Sequence, residues 1–568
     1  MSLAPVYGDD PRLESLIGPG GPFEVAPVVI DGIELRDFVR TPATIVDLFR
    51  MGVAHEELVH TVYGEERMTF REMRARATAL AKVLRDDFGV GVGDRVAIAM
   101  RNLPEFVIAF WGGALNGAIV APLNSLWTGE ELSYGLEDCG AKVAFLDPDR
   151  TDKAREHGIP QGTTVVTVRS HEYRPDRGVA FDDLVHGDPL PEDEFAQLTR
   201  DDLITILYTS GTTGRPKGAP ATNRAHITSI FNMAFANARE AIVAQREPKP
   251  PRQSATLSAQ PLFHIGGVAS IISGPMGGTK LVMMHKWDLE QAVRLAKEEG
   301  VTNLGGVPTI ARQFLDYPGI GNLGLDIRGF PMGGAAVPPD LPIRAVETFG
   351  HDIQLLNGYG LTETTSACAT NIGVEFEQHP DSVGRANLTA DIRIVDLDGR
   401  VIPVGERGEI CFRSPQNTKG YWNNPAATDE VFRDGWFHSG DVGYLDDEGF
   451  LYVSDRLKDV VIRGGENIYC PEVEAVIFQH PAVSEVVVFG LPEEFMGERL
   501  CAAVVVRDGE SLDLDGLRAH VGEHLAAFKC PEALYLTDEL PKTATSKVAK
   551  RELRARLAAD DSAVTKRY

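Results

Sequence analysis

Ile204-Thr-Ile-Leu-Tyr-Thr-Ser-Gly-Thr-Thr-Gly-Arg-Pro-Lys-Gly218 runs from an apolar, strand-length segment straight into a loop of glycines and hydroxyl residues. Small residues let backbone N–H groups and hydroxyl donors close around an anion, and Lys217 adds a point charge. The common P-loop has four residues between its glycines and ends in Gly-Lys-Ser/Thr. Here Pro216 precedes the lysine and Gly218 follows it. The segment reads as a phosphate cradle of another pattern, placed at the end of a strand.

Outward from this loop, short apolar runs alternate with helical periodicity. RVAIAM (95–100), AIVAPL (118–123) and KVAFLD (142–147) have strand length, while FREMRARATALAKVLRDDF (70–88) sets Met73, Ala77, Leu80 and Leu84 on one helical face. Such alternation predicts α/β layers with largely parallel sheets and helices. The uncharged stretch 106–129 is broken by glycines, Pro122 and Asn124, so it predicts a buried helix and strand, with no transmembrane segment. The first forty residues are rich in Gly and Pro and are expected to be irregular surface chain. Between Val395 and Val453, DG, GE and EG turns predict a small antiparallel, barrel-like subdomain. After DRLKD (455–459) the pattern predicts a smaller α+β unit. The expected organisation is a large N-terminal domain over 1–454, a hinge at 455–459 and a C-terminal domain over 460–568.

Composition narrows the function. The chain has 568 residues, 43% hydrophobic and 24% charged, which excludes a disulfide-stapled mini-protein, a coiled coil and a disordered tail. Its 56 Lys and Arg against 82 Asp and Glu give a net charge of -26, which opposes a nucleic-acid partner. Six scattered cysteines (Cys139, Cys368, Cys411, Cys470, Cys501, Cys530) without a CxxC pair suit reduced thiols. The start, MSLAPVYGDDPRLESL, lacks a basic region followed by an apolar core, and a cytoplasmic location is the expectation.

Seven further segments follow the loop in order: PLFHIGG (261–267), GGAAV (333–337), NGYGLTET (357–364), GERGEI (405–410), GWFHSGD (435–441), DRLKDVVIRGGENIYCPEVE (455–474) and PKTATSK (541–547). Together with YTSGTTGRPKG they resemble the ordered motifs of the adenylate-forming superfamily, which includes acyl-CoA synthetases, adenylation domains and luciferases. The resemblance runs from about Thr44 to Leu557. It implies a large adenylating domain that holds the acid and ATP sites, and a smaller mobile lid domain.

The resemblance also implies roles. Thr209, Ser210, Gly211, Thr212, Thr213, Gly214 and Lys217 would cradle the phosphates of ATP. Tyr359 would stack on adenine, with Gly334, Ala335 and Ala336 as the opposite wall. Asn357, which has both a donor and an acceptor, would pair with the adenine edge beside Gly358. Thr362 would donate to the α-phosphate, and Glu363, with Thr209, would serve Mg²⁺, which takes few protein ligands besides phosphate and water. Asp441 resembles the carboxylate that holds the ribose hydroxyls, with Arg456 as its companion and Lys458 at the hinge position. His264 would gate the acid pocket, where Gly266, Gly267 and Gly333 remove bulk. Gly464 and Gly465 would admit the pantetheine arm of CoA, although a plain β-turn accounts for the same residues. Lys547 would act in adenylation; Ser546 stands before it where the family usually has glycine, which bears on the loop's geometry.

The reading is an ATP-dependent carboxylic acid:CoA ligase that works through an acyl-adenylate. IGGVASIISG (265–274) has no carboxylate to hold an ammonium group, which favours an apolar, fatty or otherwise bulky acid over an amino acid. A stand-alone enzyme loading an acyl carrier protein would share every motif. An oxygenase of the luciferase type lacks any mark of oxygen chemistry, and a non-catalytic nucleotide-binding module does not need Glu363, Asp441 and Lys547 together.

Overall fold

The computed structural model describes residues 7, 10–169, 178–209, 215–245, 251–258, 260–493, 495–542, 548–557 and 565–567. Compactness divides the chain elsewhere than at residue 454. One unit comprises Met1–Gly334, Pro339–Ile392 and Phe412–Phe437, and the other comprises Ala335–Pro338, Arg393–Cys411 and His438–Tyr568.

The first unit contains the parallel sheets expected from the alternating runs. In its seven-stranded sheet, Arg95–Ala99, Ile119–Pro122 and Val143–Leu146 lie side by side and parallel, and Leu203–Thr209 joins at Ile119–Pro122. The long helix Phe70–Asp86 starts where its sequence says it should. Thr69 and Glu72 form a reciprocal cap that satisfies N-terminal N–H groups, and Met73, Ala77, Leu80 and Leu84 are all buried. Each such Leu or Met contributes roughly 1.5–3 kcal/mol. The stretch 106–129 divides into the buried helix Pro104–Leu115, the buried strand Ile119–Pro122 and a loop. Among the described residues no helix is long and apolar enough to cross a membrane.

One expectation needs correction here. The first forty residues contain an antiparallel pair, Val25–Ile30 with Ile33–Phe38. Ile30 faces Ile33 across a two-residue turn, Asp31-Gly32, with φ of 50° and 80°, the left-handed turn that fits strand twist. Leu203–Thr209 turns back into the antiparallel strand Lys217–Thr222, with Thr209 opposite Lys217. The next helix begins only at Asn223.

In the second unit, Trp436–Leu445 carries Asp441 in register with Arg456 of Leu451–Arg456, an antiparallel pair of the kind its turns predicted. Val483–Glu493 and Gly497–Val506 pair antiparallel, and Ala533–Leu536 adds a parallel strand. The helices Cys470–Phe478 and Leu514–Gly522 supply Val473, Ile477, Leu517 and Val521 to a core with Val488, Leu500 and Leu534. All six cysteines are free and buried.

Candidate functional site

The first unit brings several of the expected residues together by backbone pairing. The strands Gly329–Gly333 and Gln354–Leu361 run parallel, with Met332 beside Asn357 and Gly333 beside Gly358. Motifs 24 residues apart thereby share one sheet edge. The Tyr359 ring tilts against Phe412 at 5.6 Å between centroids. Asn357 is buried, and its Nδ2 points to the Ser382 carbonyl at a long 3.4 Å.

Directly beyond Leu361 comes the short 3-10 turn Thr362–Thr364, which packs against both strands that flank the phosphate loop. Glu363 within it is only 7% exposed. Its Oε1 accepts the Tyr421 hydroxyl at 2.6 Å, and its carbonyl accepts the Thr418 N–H at 2.8 Å. Burial, together with the Glu363 charge, raises the Tyr421 pKa above its ordinary value, so the phenol stays a donor. The backbone after Glu363 is strained: Thr365 and Ser366 have φ of 45° and 93°. The buried Gln416 secures this turn by donating from Nε2 to the Thr364 and Ala367 carbonyls, both at 2.8 Å.

The ends of the phosphate loop are anchored as well. Thr209 Oγ1 reaches the Lys217 carbonyl at 3.5 Å, and Tyr134 donates to the Pro216 carbonyl at 3.3 Å, with Arg215 over the Tyr134 ring. Tyr208 donates to Asp138 at 2.6 Å. Trp422 N–H donates to the Gly218 carbonyl at 2.8 Å, and its indole N–H to the Asp138 carbonyl at 3.0 Å. Lys217 Nζ stands 4.9 Å from the Tyr421 ring centroid. Tyr421 and Trp422, in TKGYWNNP (418–425), are the residues that motif reading missed. Their only local mark is an aromatic pair between Gly420 and an Asn-Asn-Pro turn. Ser210, Gly211, Thr212, Thr213 and Gly214 lie outside the described residues.

A buried carboxylate and a threonine hydroxyl on packed elements form a sparse, hard-oxygen donor set. That is the kind of set Mg²⁺ accepts when phosphate and water complete its octahedron.

The residues expected at the acid pocket include one, Gly267, that opens no space. His264 occupies the N-cap position of Ile265–Gly277, a helix without a charged side chain. The space beside Gly267 is filled: a Cβ there would meet the Leu262 Cα at 2.5 Å and the Pro261 carbonyl at 2.6 Å. Gly267 therefore lets the 261–262 turn lie on the helix and does not open a pocket. At Gly266 a Cβ would meet only the flexible Gln260 side-chain oxygen.

In the second unit, Asp441 is 7% exposed and faces the Arg456 guanidinium at 3.6 Å, while half of the arginine side chain is in solvent. The strand that carries Asp441 is held by Glu409, which accepts from His438 Nδ1 at 2.8 Å and from the Gly440 N–H at 3.1 Å. Asp455, next to Arg456, accepts the Cys470 and Arg456 N–H groups at 2.7 Å, and burial raises its pKa to about 6. Lys458 is exposed in the turn that follows. Gly464 and Gly465 form the two-residue turn between Val461–Arg463 and Glu466–Ile468, with φ of 59° and 87°, so hairpin geometry alone already requires them. Gly334 belongs to the first unit and Ala335 and Ala336 to the second, while Lys547 lies outside the described residues.

A model of the AMP-binding enzyme family matches residues 50–422, and that of the AMP-binding enzyme C-terminal domain matches residues 472–547. The chain is 35% identical to the long-chain-fatty-acid–CoA ligase FadD13 of Mycobacterium tuberculosis, over 87% of this chain and 94% of that protein. It is 34% identical to feruloyl-CoA synthase of Amycolatopsis sp, over 87% and 95%. Among solved structures, o-succinylbenzoate CoA synthetase of Bacillus subtilis with its acyl-adenylate OSB-AMP superposes with a TM-score of 0.77. The two are 29% identical, over 91% of this chain and 99% of that one.

Proposed function

The chain belongs to the AMP-binding enzyme family as an AMP-forming acyl-CoA synthetase, and on that premise we propose that its acid is apolar and larger than acetate. The carboxylate oxygen bonds to the α-phosphorus of ATP as pyrophosphate leaves. The CoA sulfur then bonds to the acyl carbon as AMP leaves.

Two anions must meet in the first step, so the chain's task is charge control. Lys217, the loop residues 210–214 and Thr362 bind and orient the phosphates. Glu363 and Thr209 would hold Mg²⁺, which when bound would offset phosphate charge. Tyr359, Asn357, Gly358 and the 334–336 segment receive adenine, Asp441 and Arg456 the ribose. Lys547 stabilises the charge that builds as the acid attacks. Lys458 is the pivot of the C-terminal domain, whose rotation brings Gly464 and Gly465 into use for the thiol.

One observation carries the choice of acid: no charged side chain lies along Ile265–Gly277, the helix that His264 opens. Relatives of this family named for fatty and for aromatic acids accord with an apolar substrate. Pyrophosphate exchange over a panel of acids tests the reading. kcat/KM is expected to rise with apolar size, each buried CH₂ contributing roughly 0.8 kcal/mol. Acetate or an α-amino acid as the best substrate would overturn it. Lys547→Ala should lower adenylation about 10²- to 10³-fold while sparing thioester formation from supplied acyl-adenylate. Transfer to a carrier protein's phosphopantetheine but not to CoA would identify the acceptor as a carrier.

A further inference from the structure

Tyr421 lies in none of the eight segments quoted above yet touches two of them. Its hydroxyl donates to Glu363 Oε1 at 2.6 Å, and its ring lies 4.9 Å from Lys217 Nζ. Its own place is fixed from several directions. Its N–H donates to Thr428 Oγ1 at 2.8 Å, its ring meets Phe432 edge-on, and the adjoining Trp422 N–H bonds to the Gly218 carbonyl.

We propose that Tyr421 is a positioning residue that aims the Glu363 carboxylate at the metal and keeps Lys217 from pairing with it. This inference rests on the reading of Glu363 as a metal ligand and Lys217 as a phosphate contact. An isolated carboxylate rotates freely about its last bond, and a hydrogen bond to one oxygen removes that freedom. Because this donor is neutral, the bond itself takes nothing from the charge that the carboxylate offers a cation. The same ring offers its face to Lys217 by cation–π attraction. Carboxylate and ammonium thus engage the edge and the face of one side chain. Among the described residues no ion pair joins Lys217 to Glu363, although a direct pair would neutralise both groups before ATP arrives.

The test is ATP binding to the full chain, followed by calorimetry, with and without Mg²⁺. Tyr421→Phe keeps the ring and loses the hydroxyl. The Mg²⁺ concentration for half-maximal binding should rise about tenfold, the usual effect of losing a donor to a charged acceptor, while ATP affinity in EDTA stays within twofold. Tyr421→Leu removes the ring as well and should also weaken metal-free ATP binding, about threefold, as Lys217 is released. A Tyr421→Phe protein with wild-type Mg²⁺ dependence overturns the proposal. So does one that loses affinity equally with and without Mg²⁺, since a purely structural bond would act that way. Glu363→Gln separates this from the parent reading. If Glu363→Gln raises the Mg²⁺ requirement and Tyr421→Phe does not, only the role of Tyr421 fails. If Glu363→Gln leaves it unchanged, the metal assignment has failed and the role of Tyr421 fails with it.

Discussion

Glu363 and Asp441 are carboxylates of equal burial, each 7% exposed, and they are held in opposite ways. In the first unit, Glu363 takes a short bond from a neutral phenol whose own backbone N–H is tied to the Thr428 hydroxyl. In the second, Asp441 faces a guanidinium at 3.6 Å whose side chain is half in solvent. A neutral donor fixes direction and leaves charge intact, as suits a cation ligand. A solvent-facing cation offsets charge loosely and yields to a competing hydroxyl, as suits ribose. In the assignment we propose, the same side-chain chemistry serves two tasks according to what is placed opposite it.

The contrast breaks most visibly at Glu363. Glu363→Gln should lower the rate of adenylation by about 10²- to 10³-fold, the usual effect of losing a charge-stabilising group, and raise the Mg²⁺ needed for half-maximal rate. Pyrophosphate exchange measures both. If Asp441→Asn produced the same metal dependence, the two carboxylates would not differ in task.

A third carboxylate sharpens the comparison through stability. Asp455 is held by backbone N–H groups, and burial raises its pKa to about 6. The folded state therefore binds this proton more tightly than the unfolded chain, whose aspartate titrates near 3.9. Its contribution is fully present below about pH 4 and is lost as pH rises through 6. Asp455→Asn should remove that dependence, stabilising the protein at pH 7 relative to pH 4 by on the order of 1–3 kcal/mol against wild type. Denaturant midpoints at the two pH values report it, and an unchanged difference would count against a protonatable Asp455.

Smaller effects are expected at the ribose pair. Asp441→Ala should raise the KM for ATP about tenfold with kcat nearly constant, since it removes binding that is equal in ground and transition states. Arg456→Ala should raise it only about two- to fivefold, less at high salt, because an exposed ion pair is worth at most about 1 kcal/mol. An arginine effect larger than the aspartate effect would reverse the roles.

How much was legible in the sequence depends on the range of the contact. The buried face of helix Phe70–Asp86 and the strands at 95, 119 and 143 follow from neighbours a few residues apart, and they formed where read. The hairpin at Asp31-Gly32 was readable from its Asp-Gly pair but was masked by the surrounding Gly and Pro content. Gly267 was misread because absence of a side chain does not say whether ligand or backbone fills the space, and here Leu262 does. Gly464 and Gly465 meet a turn requirement that motif matching cannot distinguish from a tunnel. Tyr421 escaped notice because its meaning lies in a partner far along the chain.

That separation, 58 residues from Glu363, has a consequence for how the site comes into being. The chain is synthesised from its N-terminus, at about 5–20 residues per second. Lys217 and Glu363 therefore emerge some seconds before the ring that touches both. If Tyr421 positions Glu363 as proposed, ligand recognition by this unit waits for its emergence. Nucleotide binding by arrested chains that expose residues up to 415 or up to 435 would mark the moment at which the site becomes competent.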